Sequence, residues 1–166
     1  MTVRTSLVVL TAGLTVAATA FGPVVTTRAQ QPPAIAAKPY VPSLADLMLV
    51  VQLRHAKLWL AGDASNWELA NFAIHEMEEG LEDMARLHPA YKDVPVGKMM
   101  EDTVKAPIEE VEKAVKARNR AAFTKAFDQL TDACNACHQA SNHAFIVIRR
   151  PAGFPFPNQS FAPARR

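Results

Sequence analysis

Between Ser43 and Ile148 apolar side chains return every three or four residues almost without a break. A chain patterned this way buries its apolar stripes by packing helices together and does not form sheet. Leu44, Met48, Val51, His55 and Leu58 mark the first stripe, with Ser43 as its expected N-cap and Gly62 as its expected end. Trp67, Ala70, Ile74, Met77, Leu81, Met84 and His88 mark the second, opened by Asp63 or Ser65 and stopped by Pro89. Its opposite face, Glu68, Asn71, His75, Glu78, Glu79 and Glu82, reads as solvated. The third stripe is Met100, Val104, Ile108, Val111 and Val115. Pro107 lies inside it and removes the bond to the Thr103 carbonyl, so this helix is expected to kink there or to start afresh. Asn119 is the expected cap of a fourth helix carrying Phe123, Phe127, Leu130, Cys134, Cys137, Ser141, Phe145 and Ile148. The expected fold is therefore all-α, an up-down-up-down four-helix bundle.

Proline defines the flanks. Residues 30–42 hold prolines at 32, 33, 39 and 42 and read as an extended arm, and residues 151–166 return to proline-broken sequence. The three phenylalanines of that tail are expected to pack back on the bundle, which occupies residues 43–150. Residues 1–29 carry Arg4, an apolar run from Leu7 to Val16 and no acid, the pattern of a cleaved signal peptide. Cleavage is expected after Ala29, with Ala20 as the alternative. Loss of Arg4 and Arg28 takes the formal charge from +2 to zero, which argues against nucleic acid as a partner. The apolar run before Pro23 is too short for a spanning helix, so no membrane span is expected in the mature chain.

Export usually accompanies disulfides, yet the chain has only two cysteines, three residues apart. Cys134-Asn135-Ala136-Cys137-His138 is the attachment signature for a c-type haem. Both thiols bond the haem periphery and the adjacent histidine reaches the iron from the same side, so the porphyrin dictates the spacing. One covalent haem c is the expected cofactor. A thioredoxin-like pair would instead open a helix just after a strand. A zinc site from Cys134, Cys137, His138 and His143 would have no second cysteine pair to close it.

A helical bundle with Cys-x-x-Cys-His on its last helix resembles the class II c-type cytochromes, the cytochrome c-prime and cytochrome c556 group, over about residues 43–148. The resemblance carries the attachment roles to Cys134, Cys137 and His138 and implies homodimers formed through helices one and two. His55-Ala56-Lys57-Leu58-Trp59 with Asn66-Trp67 is also similar to exported bundle proteins that carry the same motif.

What faces the iron opposite His138 sets the chemistry. With the fourth helix taken to Ile148, His138 lies about 15 Å before its end, level with position 53 of an antiparallel first helix. His55 is thus the expected second metal ligand, Met48 the alternative, and an open site the third case. Met77 and Met84 read as core filler, and His75, His88 and His143 as ordinary surface or boundary histidines. Trp59 and Trp67 read as bundle packing. The expected function is a periplasmic electron carrier that meets a redox partner protein, and the alternative is binding of nitric oxide or carbon monoxide at an open sixth site. No nucleophile elbow, zinc-protease motif or phosphate loop is present, so no enzyme is expected.

Overall fold

A computed structural model describes residues 39–153 and 155–164. The signal peptide read over residues 1–29 and the first part of the arm lie outside the described residues. Four helices follow in order: α1 (Leu44–Asp63), α2 (Trp67–Leu87), α3 (Val96–Lys116) and α4 (Arg120–Ala140). No strand lies among the described residues, only an isolated bridge between Tyr91 and Val94 in the α2–α3 loop. None of the described helices is long and apolar enough to cross a membrane. The result is the four-helix bundle expected from the sequence.

Ser43 opens α1 with a reciprocal capping box. Its hydroxyl accepts the Asp46 N–H at 3.2 Å, while the Asp46 carboxylate accepts the Ser43 N–H at 3.3 Å. Three helices stop by one device: Ser65, Arg118 and Asn142 take φ of 55°, 51° and 63°. Behind each of them two amides turn back on the helix, the paired bonds of a Schellman cap. After α1 and α3 the next residue is an asparagine that serves both helices. Asn66 N–H donates to the Ala61 carbonyl at 2.9 Å, and its side chain accepts the Leu69 N–H at 3.2 Å. Asn119 repeats this with Ala114 at 3.1 Å and Ala122 at 3.0 Å. The cap of α2 is therefore Asn66, not Asp63 or Ser65, because Ser65 is taken up by the left-handed turn.

At two other helices the structure decides what the sequence left open or misplaced. α3 does not start afresh at Pro107 but is one helix through it, with the buried Val104 and Ile108 on either side. α4 ends at Ala140 and not near Ile148. Its Schellman cap joins the His143 N–H to the His138 carbonyl at 2.7 Å and the Asn142 N–H to Gln139 at 3.2 Å. Beyond it Ile146-Val147-Ile148 runs without helix, and its β-branched residues suit an extended chain.

Sequential helices pack closely, and α1 and α4 are the most loosely apposed neighbours. The closed end of the bundle is aromatic: Phe123 and Phe127 are fully buried against Trp59, with Trp67 edge-on to Phe123 at 6.1 Å. Met77 and Met84 are fully buried core residues, as expected of filler. The tail packs back: Arg150 forks onto the Asp128 carboxylate of α4 and lies 4.3 Å over the Trp59 ring of α1. Phe156 sits under the Lys57 ammonium at 5.0 Å, and Phe161 is buried. Phe154 lies outside the described residues.

Candidate functional site

The end of the bundle opposite the aromatic cluster encloses a cavity of about 420 Å³. All four helices line it, with Met48, Val51 and His55 from α1, Met77 and Leu81 from α2, and Met100 and Val104 from α3. α4 contributes Cys134, Cys137 and His138, and the segment after it contributes Ile146 and Ile148. Interiors of small domains are close-packed, so a cavity of this size with mainly apolar walls and a few convergent polar groups has the form of a cofactor or ligand site. Leu49, Tyr91 and Ile146 line it and are also exposed, so it reaches the surface there.

His138 is buried, and its Nδ1 lies 2.9 Å from the Ile146 carbonyl. A carbonyl can only accept, so Nδ1 carries the proton and Nε2 keeps the lone pair. That is the state an iron-binding imidazole needs, with its other nitrogen held by an acceptor. Ile146 is placed by a clamp one turn away. The Asn135 amide donates to the Ile148 carbonyl at 2.9 Å, and its oxygen accepts the Ile148 N–H at 2.7 Å. Residues 146–150 thus form a strap running back along α4, fastened at His138, Asn135 and Asp128.

Both thiols are free. Burial, with the neighbouring Cys137, pushes the Cys134 thiol up to about 12, and burial also raises Cys137. Redox exchange and zinc binding both use the thiolate, which this environment disfavours. Among the described residues no three His, Cys, Asp or Glu side chains converge to hold a metal ion. Cys134, Cys137 and His138 thus present two thiols and one imidazole to the same apolar cavity.

His55 lines the same cavity, 3% exposed, with its ring 4.4 Å from Phe127. Burial lowers its pKa from 6.5 to about 4, so the ring is neutral at pH 7. Its Nε2 lies 2.9 Å from the Thr131 hydroxyl, whose own proton goes to the Phe127 carbonyl at 2.9 Å. Nε2 is thus a donor, and only Nδ1 holds a lone pair. The same contact sets the register of the two antiparallel helices. Seven residues back from His55 is Met48, and seven on from Thr131 is His138. Met48 is therefore level with His138, and His55 is about two turns away. Position 53 would be level with His138 only if α4 extended to Ile148; with α4 ending at Ala140, that level belongs to Met48.

The remaining histidines are bound up locally. His75 pairs with Glu79 on the α2 surface at 3.4 Å, and His88 donates to the Pro42 carbonyl at 2.8 Å. His143 donates through Nδ1 to the Ser141 carbonyl at 2.7 Å and also lines the cavity. Thr131, Asn135, Ile146 and Ile148 are site residues that the helical pattern did not disclose. The three consecutive β-branched residues Ile146, Val147 and Ile148 are the one available signal, since such a run favours extended chain over helix. Comparison with protein-family models, with curated proteins and with solved structures finds no match to this chain.

Proposed function

We propose that this chain is an exported, periplasmic c-type cytochrome that carries electrons on one covalent haem and is not an enzyme. The observation that carries the reading is the cavity that brings Cys134, Cys137 and the Nδ1-tethered His138 to one apolar space. Cys134 and Cys137 would hold the haem by thioether bonds, and His138 Nε2 would bind its iron. Haem supplies a one-electron ferric–ferrous couple whose potential follows the axial ligands and the polarity around them. Val51, Met77, Leu81, Met100 and Val104 would keep the iron's surroundings apolar, and the exposed Leu49, Tyr91 and Ile146 mark where a redox partner would approach. Exposed Val50 and Leu53 on α1 and Phe72 on α2 offer apolar surface for a homodimer, which sedimentation at two concentrations tests.

Two side chains of the cavity, Met48 and His55, could supply a second ligand to the iron. Level with His138 is Met48, which favours methionine and a higher potential. His55 needs Nδ1, or loss of its bond to Thr131, to serve. A pyridine haemochrome assay of protein made with the haem-attachment machinery tests the reading at its root: a c-type signal that in Cys137→Ala falls to at most a single-thioether spectrum at severely reduced yield supports it, and no covalent haem in the parent overturns it. Ferric spectra then separate the ligands. A low-spin spectrum that turns high-spin in Met48→Ala but not in His55→Ala assigns methionine, and the reverse assigns His55. The second reading, gas binding at an open site, rests on the commitment of His55 Nε2 to Thr131 and requires a high-spin ferric parent that neither substitution changes. N-terminal sequencing of exported protein tests location: a start near Gln30 or Phe21 supports it, and an intact residue 1 removes it.

A further inference from the structure

Asn135 occupies the first of the two positions between the cysteines, which the attachment chemistry leaves open to many side chains. Here it does something particular. Both halves of its amide bond the main chain of Ile148, donor to carbonyl at 2.9 Å and oxygen to N–H at 2.7 Å, across thirteen residues of sequence. The next carbonyl on the same side of that extended segment, Ile146, accepts from His138 Nδ1 at 2.9 Å. Ile146 N–H is itself tied to the His143 carbonyl at 2.8 Å, so the residue is held through both its N–H and its carbonyl. The far end of the strap is fixed by Arg150 on Asp128. His138 therefore meets an acceptor whose position depends on a side chain three residues before it in the same helix.

We propose that Asn135 is a positioning residue for the iron ligand: by clamping Ile148 it holds the Ile146 carbonyl on His138 Nδ1, fixing the ring's tautomer and its strength as a donor. The proposal rests on the haem reading above. A carbonyl on Nδ1 raises the basicity of a metal-bound imidazole, and stronger donation favours the ferric state. Loosening the clamp should therefore raise the reduction potential, a change that loss of packing alone does not direct.

The test compares the parent holoprotein with Asn135→Ala and Asn135→Gln, the latter keeping the amide but moving it one methylene too far. Redox titration gives the potential, and proton NMR in heavy water follows the Ile148 amide and the His138 ring N–H. Both variants are expected to raise the potential and to speed exchange of both protons about tenfold or more, as the loss of two hydrogen bonds requires. If Asn135→Ala accumulates poorly, Asn135→Gln carries the comparison. An unchanged potential with an unchanged His138 ring proton overturns the proposal, even if the Ile148 amide exchanges faster. Failure of the haem reading looks different: the parent then has no haemochrome signal at all.

Discussion

His55 is a neutral imidazole inside the bundle, and its burial ties stability to pH. Its pKa falls from 6.5 to about 4 on folding because the charged ring is desolvated. A base with a depressed folded pKa contributes stability that is complete above 6.5 and is lost as pH falls toward 4, since the unfolded chain takes up the proton first. The loss should reach about 3 kcal/mol, and His55→Gln should flatten it. Denaturant titrations at pH 7.5 and pH 4.5 measure it, and an equal slope with pH in both proteins would rule out His55 as its source. Gly62 shows a constraint of another kind. A Cβ there would run into the Phe123 ring, which is fully buried between Trp59 and Trp67. Gly62→Ala should cost about 2 kcal/mol by overpacking, read as a lower denaturation midpoint.

Helix ends in this protein are set by three non-glycine residues with left-handed backbone, and that makes them improvable. Arg118 is exposed, has φ of 51° and makes no side-chain contact that the turn needs, so Arg118→Gly should stabilise by about 0.5–1 kcal/mol after the entropy of glycine in the unfolded chain is deducted. Urea unfolding should show a higher midpoint with an unchanged slope, and a lower midpoint would mean the turn is not strained. Pro107 offers the complementary case within α3. Its ring breaks one helical bond, yet the helix continues because Val104, Ile108 and Val111 bury the adjoining turns. Pro107→Ala should gain about 2 kcal/mol, read as a higher urea midpoint, and an unchanged midpoint would show that the proline costs the helix nothing.

On the scale of the whole molecule the loose α1–α4 seam is the organising fact. It is bridged by His55 with Thr131, by Arg150 between Asp128 and Trp59, and by the tail. Phe161, 5% exposed, anchors that tail while Asn66 holds the Phe161 and Ala162 carbonyls at 3.3 and 3.1 Å. Phe161→Ala should therefore destabilise the bundle by about 3 kcal/mol. Thermal unfolding checks this, and an unchanged midpoint would show that the tail merely rests on the surface. The cavity at one end and the aromatic cluster at the other divide the interior into a part that packs on its own side chains and a part shaped around a site.

What the sequence determined was local. Four apolar stripes of period 3.6, the Ser43 and Asn119 caps and the joint placement of Cys134, Cys137 and His138 each depend on residues within one or two turns, so they were legible without a structure. The end of α4 was not, because Ser141, Phe145 and Ile148 continue the helical spacing by coincidence, while Asn142 turns left-handed and the Ile146–Ile148 run goes extended. From that single boundary came the misplaced level of His55. Only the tertiary structure put Met48 level with His138, laid the strap along α4 and gave Asn135 a partner. Registers between distant segments depend on how whole faces pack, and no short window of sequence holds that information.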